Sequence, residues 1–192
     1  SGKVRRKLCS AAADAVLPMS DGQASATFRQ QAEAELQAFR SGDERLALPA
    51  AAEPLVTLVI VVYNQAALTL ACLRSLAVTV DAAAEVVLVD NASADETPRL
   101  LDRLDGVRVI RNAENLHFLR AVNQAAAEAR GQYLVLLNND ARLRPGTLEQ
   151  ALAVFDEASD VGAVGGRVIK PDGRLQEAGC IVWRDGSCLG YG

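Results

Sequence analysis

The sequence predicts an α/β protein: a mostly parallel sheet with helices on both faces, preceded by an N-terminal helical extension. Three observations point to it. From Leu55 onward, apolar runs of strand length alternate with segments of helical spacing. The composition is 50% hydrophobic yet only 4% aromatic, the aliphatic mix of strands buried on both faces. Three of the apolar runs end on Asn or Asp, which lines up polar groups along one edge of a parallel sheet.

Residues 1 to 50 are Ala-rich, charged and weakly apolar, and read as a helical extension and linker. Thr27 to Arg40 combines strong helix formers with a spaced set, Phe28, Ala32, Leu36 and Phe39. This predicts an amphipathic helix ending at Ser41-Gly42, packed on the main domain or on a partner. Ala47 to Pro54, with two prolines and no core stripe, reads as the linker into a domain spanning residues 51 to 192.

Leu55 to Tyr63 is a β-branched run expected of a buried strand, broken by Asn64-Gln65. Leu70, Leu73 and Leu76 give Ala66 to Val78 a helical period. A second strand, Glu85 to Val89, ends in Asp90-Asn91, with Ser93 or Asp95 placed to cap a helix over Glu96 to Leu104. Pro98 is tolerated in that helix's first turn. Val107 to Ile110 is a third strand, and Phe118 to Arg130 a helix with Gly131 in the usual C-terminal glycine position.

The stretch Gly131 to Asp140 (GQYLVLLNND) reads as a central, buried parallel strand that delivers two amides and a carboxylate to the sheet edge. A helix over Gly146 to Ala158 follows. Val161 to Ile169 and Cys180 to Trp183 then read as strands around the turn Pro171-Asp172-Gly173. The chain stops at Gly192 after a Gly-rich stretch with no closing helix, so the domain is expected to be incomplete at its C-terminus.

The net charge of -4 provides no broad basic field, which argues against nucleic-acid binding. Cys9, Cys72, Cys180 and Cys188 form no C-x-x-C pair, so neither a zinc cluster nor a dithiol site is indicated. Buried or idle thiols in a reducing cytoplasm are the expected reading, with a Cys180–Cys188 bridge across a late hairpin the minor alternative. No apolar run reaches membrane-spanning length, and no signal-peptide core follows the basic Lys3 to Lys7 cluster. The expected setting is cytoplasmic, with peripheral association of the full-length protein at the inner membrane face as an extension of it.

Tyr63-Asn64, Asp90-Asn91 and Asn138-Asn139-Asp140 should converge, because parallel strands point the same way. Ordinary turn formers and caps are the alternative reading of each. The turn after the first strand has no G-x-G-x-x-G and no P-loop, which disfavours dinucleotide and P-loop chemistry. A carboxylate flanked by amides suits a hard divalent ion that bridges substrate phosphates.

The runs VTLVIVVYNQAALTLACLRSL, EVVLVDNASADETPRLL, NLHFLRAVNQAAAEARGQYLVLLNND and GGRVIKPDGRLQEAGC together resemble the nucleotide-binding half of family 2 glycosyltransferases of the Rossmann-like GT-A fold, from Leu55 to Cys180. The resemblance implies a nucleotide-sugar site of Tyr63, Asn64, Asp90, Asn91, Asn123, Asn139 and Asp140. Asp140 would contact Mn²⁺ or Mg²⁺ on the diphosphate, Asp90 would accept from the base, and Asn91 and Ser93 would shape the loop. The donor would be UDP-, dTDP- or GDP-linked and the acceptor a glycan or lipid-linked molecule. His117 stands where glycine is usual and Arg120 where a small residue is common, and His117 reads as a loop residue rather than a base.

Transfer with inversion needs a base for the acceptor hydroxyl. It is expected beyond Gly192, since Asp172, Glu177 and Asp185 are not suitable candidates. A nucleotidyltransferase of similar fold is the enzyme alternative, although Asn64 to Leu68 is neither glycine-rich nor basic. A non-catalytic interaction module derived from a transferase is the other.

Overall fold

A computed structural model of the protein describes residues 8–9, 14–16, 22–80, 83–157, 159–182 and 188–190. The Lys3 to Lys7 cluster, Ala158, Trp183, Asp185 and Gly192 lie outside them. The chain divides into two compact units, Ala26–Arg142 and a second formed by Ser1–Ser25 with Leu143–Gly192.

The first unit is built on four parallel strands: β1 (Val56–Val62), β2 (Ala84–Asp90), β3 (Val107–Arg111) and β4 (Tyr133–Asn138). Their order across the sheet is β3-β2-β1-β4. Their helices are α1 (Gly22–Ser41), α2 (Ala66–Thr79), α3 (Thr97–Leu101) and α4 (His117–Glu128). The expected α/β class with a parallel sheet is what forms.

Along β1, Leu58, Ile60 and Val62 alternate with Val59, and all are buried, so this strand is covered on both faces. Each such side chain stabilises the fold by about 1.5–3 kcal/mol relative to exposure. One face meets α4, whose Ala121 and Ala125 pack on Val59, Val87 and Val89. Residues four apart share a helix face, and alanine there lets helix and sheet approach closely.

Helix α1 belongs to this unit over residues 26 to 41. Fully buried Ala32 packs on Leu68 and Ala71 of α2, with Phe28 beside them. Its C-terminal end is clamped by Arg103, which donates to the carbonyls of Phe39 (2.6 Å) and Gly42 (2.7 Å) and lies over the Phe39 ring at 4.3 Å. The choice between domain and partner is thus settled by packing within the chain.

The stretch expected as a linker is tied to the amino edge of the sheet. Leu46–Ala47 pairs in parallel with Leu104–Asp105, and Ala51 N–H donates to Ala84 O at 2.9 Å. That pairing also explains why α3 stops at Leu101 rather than Leu104, since Leu104 leaves the helix to join a strand.

Two further expectations are corrected here. Strand β4 is an edge strand of this sheet, with Leu134 48% and Leu136 55% exposed, because β1 takes the central place. Gly131 does not cap α4 in a left-handed conformation, for the helix ends at Glu128 and Ala129 is already extended. Its role is close approach: a Cβ there would lie 2.6 Å from Thr57 N and 2.7 Å from Val56 C.

In the second unit, α5 (Thr147–Glu157) follows the expected helix closely. The predicted strand Val161 to Ile169 splits at Gly165-Gly166 into Ala163–Val164 and Arg167–Ile169. These pair in parallel with Leu8–Cys9 and Asp14–Val16, two short strands within the extension that the sequence reading missed. The Pro171-Asp172-Gly173 turn, with Gly173 at φ 87°, joins Arg167–Ile169 to Leu175–Glu177 rather than to Cys180. In the last hairpin Cys180 faces Gly190 and Cys188 faces Val182, so the two cysteines are not cross-strand partners.

Candidate functional site

The register puts the polar strand ends level with one another. Val62 of β1 faces Asp90 of β2, and Val61 faces Asn138 of β4, so Tyr63-Asn64, Asp90-Asn91 and Asn139-Asp140 leave three adjacent strands side by side. Neighbouring strands lie about 4.8 Å apart, which separates the β2 and β4 ends by about 10 Å. The convergence expected from the sequence is present.

Side-chain bonds knit the loops after β1 and β2 into one surface. The Asn64 N–H donates to Ser93 Oγ at 2.8 Å, and Ala94 N–H donates back to Asn64 Oδ1 at 2.8 Å. Asp95 accepts from Ala66 N (3.0 Å) and Thr97 N (2.9 Å), so one carboxylate serves the starts of both α2 and α3. Burial works against its charge, but the hydrogen bonds from Thr97 and Ala66 prevail and hold its pKa below the usual range. Ser93, one of two candidate caps, instead fastens one loop to the other.

Asp90 is buried at 4% exposure. Its Oδ1 accepts from Ser93 N–H at 3.0 Å, and its Oδ2 lies 3.8 Å from Arg111 Nη1. Arg111 stands opposite it on β3 and also pairs with Asp102 at 2.7 Å. Asn91, 2% exposed, is wholly occupied with shaping the loop: Nδ2 donates to Asn115 Oδ1 (2.7 Å), while Oδ1 accepts from Asn112 Nδ2 (3.1 Å) and Leu116 N (3.0 Å). Tyr63 is 49% exposed at the tip of β1, and Asn123 is exposed on α4.

On the third wall, Asn139 Nδ2 donates to the buried hydroxyl of Thr69 on α2 at 2.9 Å, which anchors the tip of β4. Asp140, next in the chain, is partly buried. That burial pushes its pKa up, its own backbone N–H and the charge of Arg29 offsetting part of the rise. Below it lies Cys72, buried, its thiol 3.7 Å from Asn138 O; burial, and secondarily the Asp140 charge, push it up to about 12. It is a packed thiol rather than a nucleophile.

Arg111, Asn112, Thr69 and the double capping by Asp95 are not marked in the sequence, whereas Asn115 opens the Asn115 to Asn123 segment of the family resemblance. Arg111 becomes visible only once β3 is known to pair with β2. Thr69 carried a faint signal, a polar residue inside an otherwise apolar helical stretch.

A divalent ion fits this donor set in one way. Among the described residues no group of three or more His, Cys, Asp and Glu side chains converges. Asp140 is a single carboxylate at the open edge, the arrangement for an ion that takes its other oxygens from phosphate and water.

Comparison with known proteins follows the same line. The model for the family described as glycosyl transferase family 2 matches residues 57–184. The succinoglycan biosynthesis protein ExoO of Rhizobium meliloti is 33% identical over 124 residues, 63% of this chain and 36% of the relative. The O-antigen biosynthesis protein RfbC of Myxococcus xanthus is 34% identical over 105 residues, 53% and 8% respectively. A solved structure of Staphylococcus aureus TarS in complex with UDP is 26% identical, covering 53% of this chain and 32% of that one, with TM-score 0.48. The chain spans between 8% and 39% of the length of the curated relatives it matches. With the family model aligned from β1 through all three polar strand ends, the chain belongs to glycosyl transferase family 2.

Proposed function

We propose that this chain is the donor-binding part of an inverting glycosyltransferase, which moves a sugar from a nucleotide-diphosphate donor, UDP-, dTDP- or GDP-linked, to a glycan or lipid-linked acceptor. The observation that carries this reading is the alignment of Asp90, Tyr63 and Asp140 on neighbouring strand ends in a family 2 chain.

Each wall has a task. Asp90, held by Ser93 N–H and facing Arg111, accepts an N–H from the nucleobase. Tyr63 presents its ring at the tip of β1, and Asn64 fixes the loop through which the nucleotide passes. Asn91 keeps the Asp90 loop in shape, and Asn123 contacts the donor from α4. Asn139, anchored on Thr69, aims Asp140 at the diphosphate. The roughly 10 Å between the β2 and β4 ends suits a ligand with a base at one end and phosphates at the other.

Asp140 is the residue that would hold Mn²⁺ or Mg²⁺. When bound, the ion supplies charge stabilisation for the departing diphosphate. The acceptor hydroxyl must lose its proton to a base, and this reading assigns that base to a group outside the three strand ends. A cytoplasmic setting, with peripheral contact at the inner membrane face, matches a lipid-linked acceptor.

Calorimetric titration with UDP, dTDP and GDP, each with and without Mn²⁺, tests the reading. Binding of one nucleotide that tightens at least about tenfold with Mn²⁺, and loses that gain in Asp140→Ala, is expected. Binding indifferent to the metal and to Asp140 would overturn the assignment of that carboxylate.

A further inference from the structure

Helix α1 lies ahead of residues 57–184, the part of the chain that the family model matches, yet it reaches the tip of β4. Its Phe28 is half-buried and packs with Ala32 of the same helix and with Leu68 and Ala71 of α2. The Arg142 guanidinium lies over the Phe28 ring, 4.3 Å from its centre. Arg142 is half-buried as well, and its Nε is shielded from solvent without a hydrogen-bond partner. Among the described residues, it is the ring that holds this guanidinium in place.

Arg142 stands two residues after Asp140. Two residues of chain span at most about 7 Å between Cα atoms, which an arginine side chain can bridge. A guanidinium is always charged and pairs with a carboxylate through two parallel hydrogen bonds, so it competes with a metal ion for the same oxygens. Asp140 forms no ion pair with a described residue, and Arg29, exposed beside Phe28 on α1, acts on it through its charge alone. A cation–π attraction shifts an equilibrium by a factor of about 2 to 30, most where water is excluded. The Phe28 ring therefore has the strength to decide where Arg142 lies.

We propose that Phe28 is a positioning residue for the metal: its ring keeps the Arg142 guanidinium on α1, so that the Asp140 carboxylate is left open to a divalent ion on the donor diphosphate. The helical extension is then a working part of the donor site. The inference rests on the donor-site reading above.

The test is calorimetric titration with whichever of UDP, dTDP and GDP the parent binds, with and without Mn²⁺, alongside thermal unfolding. The proteins are the parent, Phe28→Tyr, Phe28→Leu, and Phe28→Leu combined with Arg142→Gln. Leucine keeps an apolar side chain against Leu68 and Ala71 but offers no ring. In Phe28→Leu the gain in affinity from Mn²⁺ should fall about fivefold while metal-free affinity stays as in the parent. Phe28→Tyr should keep the full gain. The double variant should regain it to within about twofold, because the competing cation is gone, even though it shares any loss of thermal stability with Phe28→Leu. A full Mn²⁺ gain in Phe28→Leu, or a lost gain that Arg142→Gln does not restore, would overturn the proposal and leave Phe28 as a packing residue. If the parent binds no nucleotide, or binds with no response to Mn²⁺, the donor-site reading fails first and takes this inference with it.

Discussion

Replacing Glu85 by Gln probes the charge cluster that anchors the far end of the sheet. The Glu85 carboxylate, 5% exposed, accepts from Thr57 Oγ1 (2.8 Å) and Arg130 N (2.7 Å) at one oxygen. The other oxygen accepts from Arg130 Nε (2.8 Å) and Nη2 (2.6 Å), with Arg108 Nη2 at 3.4 Å. Burial alone would raise its pKa, but the donors from Arg130 and Thr57 outweigh it and lower the value below that of a free carboxylate. In Glu85→Gln an NH₂ faces the guanidinium and both charge-assisted bonds at that oxygen are lost.

Breaking a buried pair costs about 3–5 kcal/mol, and the lower end applies because Arg130 is 48% exposed and regains water. A loss of about 3 kcal/mol corresponds to a drop of roughly 10 °C in Tm for a domain of this size. The sign with pH follows from linkage. A depressed folded pKa stabilises above the unfolded carboxylate value and ceases to do so as pH falls through the folded one. The gap between parent and variant should therefore be full at pH 7 and shrink below about pH 4. Denaturant unfolding followed by circular dichroism at pH 7 and pH 3 measures both. Equal stability at pH 7, or a gap that widens on acidification, would refute the reasoning.

Three other outcomes follow from the same geometry. Gly131→Ala drives a Cβ into the Val56–Thr57 backbone, and overpacking of this kind should cost about 1–3 kcal/mol, read by chemical denaturation and accompanied by weaker nucleotide binding as the β4 tip shifts. Asp140→Asn should unfold at the parent's temperature or above at pH 7: a raised folded pKa favours the protonated fold, so the stability it contributes is present at low pH and lost as pH rises through the folded value. The parent should accordingly gain on the variant as pH falls toward 4. Cys72, its thiol pushed up to about 12, should resist iodoacetamide at pH 8 in the native protein and react once denatured, as peptide mass spectrometry would show.

Much of the candidate site was legible because its signals are local. Asp90 follows its apolar run directly and Asp140 comes after two amides at the end of its own, and a parallel sheet needs nothing more to carry them to a common edge. Their partners were not legible. Arg111 and Thr69 acquire their roles from strand pairing and helix placement, and no periodicity marks them. The Asn91 amide looked like a ligand contact as much as a loop former, and its burial at 2% makes it the hub of the loop.

By itself, then, the sequence determined the α/β class, the succession of strands and helices in the first unit, the polar strand ends and the family. Those features rest on propensity, period and short motifs, all properties of neighbouring residues. Only the tertiary structure decided that β4 is an edge strand, that α1 packs on α2, that Gly131 answers to a backbone approach, and that the Arg142 guanidinium lies over the Phe28 ring. Each depends on which distant segments touch, and the free energy of such contacts comes from packing and buried hydrogen bonds that no single stretch of chain contains.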